Sequence, residues 1–450
     1  MDNLDTKYNV IEDELLASVR WGTKSKVWVG FLITLLIVCL FFYYTQLRDG
    51  LGVTGLNDYV SWGIYISNFV FFVAASLVGM LISSVLGLSG SKWIQPISRI
   101  AEIVAVSFAM VAGLIIITDM GRPDRLHHVF LYGRIQSPIV WDIVIVMTYV
   151  AISLLLLYVP LIPDIALLKD RSKGLPKLQR WIYRVFSLGW ADSPEQFKIV
   201  KRYIRILAVL IIPVALAIHT VTSWLFAMTL RAGWDSPIFG PYFVSGAFVA
   251  GCAAVTIAMY FFRKSYNLEK YITDFHFDKM GKLLVLVALV YVYFNINEII
   301  VPAYKLKGGE AEHLKSMLFG HDSLMFWTVQ IGGLVLPFIL LLIPRMRKPL
   351  PSLIISIVIL VAAWFKRYLI VVPIQKHPYF PIQNVPDSFM QYTPTLAEMA
   401  ITLASFILLL LIATVLSKIF PVVSIWEIKH SMEERHNEDN NSVKQDSEQK

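Results

Sequence analysis

Charge is scarce in this chain. Asp, Glu, Lys and Arg make up 16% of its 450 residues, and hydrophobic residues make up 56%; soluble domains carry about 25% charged residues. With a mean hydropathy of +0.62, the composition excludes a soluble globular protein. Cysteine is nearly absent. Cys39 and Cys252 both lie inside apolar runs, which excludes a disulfide framework and leaves no Cys set for an iron–sulfur cluster. A leader pattern is missing too: the first 26 residues are polar, with Glu12, Asp13 and Glu14, and have no short apolar core with a small-residue cleavage site. Residues 1–26 are expected to be a cytoplasmic segment, with 9–19 as a short amphipathic helix at the surface.

What the chain has in excess is long apolar runs. Ten lie near 27–47, 60–86, 97–118, 139–161, 203–230, 238–262, 283–303, 325–343, 351–373 and 395–419. A helix needs about 20 apolar residues to cross a bilayer. A barrel strand needs only about 10 and would alternate in polarity. The expected fold is therefore an all-α integral membrane domain over 27–428, followed by a disordered cytoplasmic tail at 429–450. The second run opens SWGIYISNF (61–69) and the sixth FGPYFVSGAF (239–248). Four spans is an even offset, so the two copies point the same way. That predicts a parallel repeat: helices 2–5 and 6–9 as two four-helix bundles, with the first and last helices peripheral. Lys and Arg gather in the N-terminal segment, the 87–96, 162–202, 263–282 and 344–350 loops and the tail. By the positive-inside rule both termini and the long 162–202 loop are cytoplasmic, in the cell's inner (plasma) membrane. The connections 119–142, 231–241 and 374–394 then lie on the outer face.

The most unusual stretch is 119–142, DMGRPDRLHHVFLYGRIQSPIVWD. Asp119 ends one span and Asp142 lies inside the start of the next. A charge there is costly, roughly 2.5–3.5 kcal/mol near a helix centre and less towards an end. Between them stand His127, His128, Tyr132, Arg122, Arg125 and Arg134. The structural alternative is a plain corner in which Arg122, Arg125 and Arg134 neutralise Asp119, Asp124 and Asp142; in the functional reading Arg122 holds the loop by pairing with Asp119. Within the spans, His219 sits in IHTVTSW (218–224), either as a hydrogen-bonded helix contact or as a proton carrier. No second His lies in another span, so a haem with two axial His is not expected. Arg99 can pair with Glu102 one turn along its helix. Asn295, Asn297 and Glu298 share the outer half of the seventh span, Lys366 and Arg367 are expected to snorkel outward, and Glu398 begins the tenth. His219, Glu102 and Asp164 are candidates for a proton path.

These groups suit a lipid-soluble quinone or menaquinone. Its carbonyls accept hydrogen bonds, its tail partitions into lipid, and its redox chemistry needs proton donors or acceptors beside the headgroup. Asp142, Asp119, His127 and His128 are the candidate proton-handling residues. Tyr65, Asn68, Arg122 and Tyr132 are candidate headgroup contacts. The chain offers no redox centre and no metal site of its own, so electrons must leave through a partner, most naturally a ferredoxin-like iron–sulfur subunit on the outer face. Beyond the lipid bilayer, no nucleic-acid partner is expected.

DMGRPDR (119–125), LYGRIQSPIVWD (131–142), HTVTSW (219–224) and GWDSPIFGPYFVSGA (233–247) resemble the polysulfide reductase NrfD/PsrC family. KRYLIVVP (366–373) and HPYFP (377–381) are also similar to ActC of alternative complex III, and the resemblance runs over about 27–428, to WEI (426–428). It implies two four-helix bundles and a membrane subunit exchanging electrons between the quinone pool and an extracytoplasmic iron–sulfur subunit, often serving a molybdopterin enzyme. The pattern departs at Leu77, where the ActC-like branch carries a histidine shortly after NFVF (68–71). That tilts the resemblance towards a reductase or dehydrogenase membrane subunit. Two other readings stand beside it. A passive anchor for an iron–sulfur/molybdopterin complex has no need of Asp142 or His219. A secondary transporter is expected to show paired short Gly/Pro-interrupted spans, which the sequence lacks.

Overall fold

The computed structural model describes residues 12, 14–171, 175–229, 231–306, 308–377, 386 and 391–429. Residues 1–11, most of the tail, and 378–385 and 387–390 of the third outer connection lie outside them. Among the described residues ten helices are long and apolar enough to cross a membrane, matching the ten expected runs. They are α1 (Thr23–Asp49), α2 (Ile64–Leu86), α3 (Gln95–Asp119), α4 (Pro138–Asp170), α6 (Pro194–Ala227), α7 (Phe239–Ser265), α8 (Asp274–Lys305), α10 (Ser323–Leu342), α11 (Pro349–Gln375) and α12 (Leu396–Ile419). Two shorter helices, α5 (Lys177–Phe186) and α9 (Gly308–Phe319), complete the set.

The chain is an all-α, multi-pass integral membrane protein, and its contacts are those of two bundles. α2, α3, α4 and α6 pack together, and so do α7, α8, α10 and α11. The first helix of each bundle touches the last of the other, α2 with α11 and α7 with α6, as a parallel repeat about the membrane normal requires. Of their apolar windows, 83% of α2 and 78% of α7 is buried, against 11% of α1. α2 and α7 therefore form the axis, while α1 stands outside and packs on α12.

One expectation is corrected. The fourth span does not stop at 161: it passes through a tight turn, Val159–Leu161, and runs as helix to Asp170. Pro160 and Pro163 sit in the first positions of these turns, where the missing N–H costs no hydrogen bond. Ile165 and Leu168 keep the apolar face buried beyond them. With α5 and the early start of α6 at Pro194, most of the expected 162–202 loop is helical.

In lipid, apolar surface gives little drive for helices to associate, so close packing of small residues must do it. A Cβ on Gly251 of α7 would lie 2.5 Å from the Val78 Cβ of α2. One on Gly79 would overlap the Ala101 carbonyl oxygen of α3. The backbones approach because the side chains are absent. Gly113 of α3, by contrast, has no atom within 4 Å of that position.

Gly79→Ala should thus lower thermal stability in detergent by about 1–3 kcal/mol through overpacking, while Gly113→Ala should be neutral or slightly stabilising. Equal melting temperatures for the two variants would contradict this packing.

Candidate functional site

The 119–142 corner separates into a surface part and a buried part. After α3 the chain makes a turn at Pro123–Arg125 and a single helical turn, His128–Tyr132. His127 and His128 meet edge to face at 4.4 Å between centroids, and His128 meets Tyr132 at 5.2 Å. His127, His128 and Tyr132 are all exposed. Arg122 pairs with Asp124 at 3.2 Å in the open, rather than holding Asp119 as expected. Pairing between residues two apart costs less chain restriction than reaching back to a buried helix end.

Asp142 turns inward instead. It is 1% exposed, and its Oδ1 accepts a 2.6 Å bond from the Thr222 hydroxyl of α6, while Oδ2 has no hydrogen-bond partner among the described residues. His219, one turn before Thr222 on α6, is likewise buried, and neither ring nitrogen has a side-chain partner among the described residues. Asp142, Thr222 and His219 thus share the interior side of the first bundle. The structure does not join His127, His128 or Tyr132 to them.

Tyr65 and Asn68 face a different neighbour. The Tyr65 hydroxyl donates to Gln46 of α1 at 2.7 Å, and the same Gln46 amide donates to the Thr118 carbonyl at 2.7 Å, beside Asp119. Asp119 has one buried oxygen without a partner. Asn68 donates to Thr402 of α12 at 2.8 Å and accepts from the Trp364 indole of α11 at 2.7 Å. Trp364 and Thr402 line an apolar cavity of about 570 Å³ with Phe71, Tyr368 and Phe406. Glu398, fully buried, accepts from the Gly55 and Thr395 amides at 2.8 and 2.9 Å and from Tyr392 at 2.7 Å. Sequence reasoning misses its reach to Gly55 and Tyr392, although the Thr395–Glu398 spacing is a helix-capping signal.

The second bundle holds its own polar core. Lys366 and Arg367 are 4% and 2% exposed, so they do not snorkel as expected. Lys366 pairs with Glu298 at 3.3 Å, and Arg367 lies over the Phe243 ring at 4.8 Å. A buried partner and an aromatic face compensate each cation better than a long reach to water would. Asn295 accepts from Gln330 at 3.2 Å. A water-sized cavity of about 20 Å³ joins Glu298 and Lys366 to His313 of α9. His313 stacks near His377 at 5.9 Å, and burial, aided by the His377 charge, pulls its pKa down to about 3.

At the opposite, basic face Arg99 does not pair with Glu102. It forms a buried ion pair with Asp164 and donates to the Pro160 carbonyl at 3.0 Å and Ser424 at 3.2 Å. Asp164 also accepts from the Trp426 amide at 3.2 Å, which ties the segment after α12 to α4. Glu102 takes the Ser83 hydroxyl instead. Asp164 gains two backbone donors that Glu102 lacks, the Ile425 and Trp426 amides. A cavity of about 360 Å³ reaches Glu102 and Glu427 from this face. Burial raises the Glu427 carboxyl to about 7. Among the described residues no group of three or more metal-ligating side chains is assembled.

The chain matches the family model for polysulphide reductase NrfD over residues 52–378. It is 32% identical over 336 residues to a putative dimethyl sulfoxide reductase membrane subunit of Halobacterium salinarum, covering 73% of this chain and 72% of that one. It is 25% identical to a selenate reductase subunit of Mesobacillus selenatarsenatis, over 88% and 94% of the two chains. With the menaquinone reductase integral membrane subunit of Nitratidesulfovibrio vulgaris the identity is 23%, over 84% and 86%.

Two outcomes test this geometry. Asp164→Asn strands Arg99 as an unpaired buried cation and should cost about 3–5 kcal/mol, read from denaturation in detergent. Folded His313 stays neutral down to about pH 3, whereas an unfolded chain takes up a proton near 6.5. The stability it contributes is present above that value and is lost as pH falls towards 3. His313→Gln should therefore flatten the loss of melting temperature between pH 7 and pH 5; an unchanged slope would place the acid sensitivity elsewhere.

Proposed function

The chain belongs to the NrfD polysulphide reductase family, and from that premise we propose that it is the membrane subunit of a respiratory oxidoreductase complex that exchanges electrons and protons with a quinone, of which menaquinone is the favoured type. The observation that carries the reading is Asp142: a buried carboxylate at the outer end of the first bundle, with one oxygen held by Thr222 and the other unpartnered. A carboxylate held in this way is placed to accept a proton from a hydroxyl or return one to a carbonyl. Asp119, beside the Gln46–Tyr65 bond, is a second proton-handling group at the same level. His219, one turn deeper on α6, carries the proton onward, and Glu102 and Asp164 serve the basic face.

The headgroup lies between the buried end of the 119–142 corner and α2. Tyr65 and Asn68 set the wall of that space, and the apolar cavity beyond Asn68 suits an isoprenoid tail. His127, His128, Tyr132 and Arg122, on the surface of the corner, are assigned to the face that receives the electron-carrying partner. That partner is a ferredoxin-like iron–sulfur subunit on the outer face, with a molybdopterin catalytic subunit beyond it. The two electrons of each quinol–quinone conversion pass between headgroup and cluster, and the two protons pass through Asp142 and its neighbours. In this reading both termini lie in the cytoplasm and the membrane is the cell's inner, plasma membrane.

Asp142→Asn keeps the Thr222 bond but removes the titratable oxygen. It should abolish quinol-dependent turnover of the assembled complex, at least about 100-fold, while membrane insertion and partner binding persist. A quinol analogue should bind the purified complex saturably. Undiminished turnover in the variant would remove Asp142 from the chemistry. Absence of analogue binding to a folded, partner-loaded complex would leave a passive anchor.

A further inference from the structure

Helix α5, KLQRWIYRVF, lies across the basic face where the spans end. Its rotation about its own axis is fixed by three bonds. Gln179 donates to the Lys418 carbonyl at 3.1 Å and Tyr183 to the Ile419 carbonyl at 2.7 Å, both at the last turn of α12. Tyr158 of α4 donates to the Phe186 carbonyl at 2.9 Å. These bonds also fix its depth, because the carbonyls of Lys418 and Ile419 are at the end of a membrane span.

At about 100° per residue, six of the other side chains fall into two sectors, with Ile182 and Phe186 beside the docked side. Leu178, Trp181 and Val185 form one, exposed by 69%, 57% and 46%. Lys177, Arg180 and Arg184 form the other, all exposed, and the helix carries no acid. A helix with a docked side, an apolar side and a purely cationic side has the chemistry of one lying in a lipid interface: acyl chains take the apolar sector and headgroups the cationic one. A zwitterionic headgroup would satisfy the apolar sector as well but gives three adjacent cations no net counter-charge. The charge complementarity selects an anionic headgroup.

We propose that α5 is a recognition element for anionic phospholipid, holding headgroup phosphates on Lys177, Arg180 and Arg184 with Trp181 seated among the acyl chains, and that through Gln179 and Tyr183 the bound lipid secures the end of α12. It does not depend on the quinone reading, because none of these residues takes part in that chemistry.

The test is retention of phosphatidylglycerol against phosphatidylcholine by the purified full chain, measured by native mass spectrometry and by the rise in melting temperature on adding each lipid. Wild type should retain and be stabilised by phosphatidylglycerol in preference, and the preference should weaken with salt. A K177Q/R180Q/R184Q variant should bind it on the order of a hundredfold more weakly, and single variants about fivefold. The single variants keep the test open if the triple variant does not fold. Glycerol phosphate should not compete, since it lacks the acyl chains that Trp181 and Leu178 receive. Equal retention of the two lipids by wild type, an unchanged preference in the variants, or full competition by glycerol phosphate would each overturn the proposal.

Discussion

A charge inside a hydrocarbon slab persists only if something nearby answers it, and the architecture follows from where those answers are found. Arg99 and Asp164 answer each other, and they are joined by the Pro160 carbonyl, Ser424 and the Trp426 amide. Three separated stretches of chain, α3, α4 and the segment after α12, converge on that pair. Taking two ions out of water costs several kcal/mol each, which only such a crowd of further hydrogen bonds offsets. In the other bundle Glu298 and Lys366 follow the same rule, with aromatic rings around the cation. Against this background the unanswered oxygens of Asp142 and Asp119 stand out, because Asp164, Glu298 and Glu398 all have partners.

The unanswered acids and the answered ion pair lie at opposite ends of the first bundle. Asp119 and Asp142, with their open valences, lie near the end of α3 and the start of α4, on the side of the bundle away from the basic face. The fully satisfied ion pair lies near the opposite face, where it locks the first bundle. Between them His219 is held in an apolar seam, without a side-chain partner, where α6 meets α2 and α7. Membrane interiors retain such groups where their protonation matters, and the cost of keeping them is met by the packing of α2 and α7 around the axis.

Much of this is legible in the sequence, because the bilayer makes run length and loop charge unusually informative. The ten spans, the two bundles and the placement of Asp142 within a span all follow from patterns a few residues wide. What is not legible is which side chains meet across helices. Arg99 has Glu102 on its own helix and Asp164 some sixty residues away, and only tertiary packing chooses the second. Lys366 and Arg367 read as snorkelling because their span ends nearby, yet Glu298 and Phe243 hold them in. The corner reads as one site since its histidines and acids adjoin in sequence. Helix geometry sends Asp142 inward and leaves His127, His128 and Tyr132 towards the surface.

The pairing of α1 with α12 has a bearing on how the protein is made. The first of the ten described spans packs chiefly on the tenth, so eight spans lie between the two partners. Contacts of such separation form late, because everything between must be in place before the ends can meet. Until then α1 is held to the first bundle at one end, where Gln46 bonds to Tyr65 and to the Thr118 carbonyl. Its closure against α12 is a contact that waits until the eight spans between them are in the membrane.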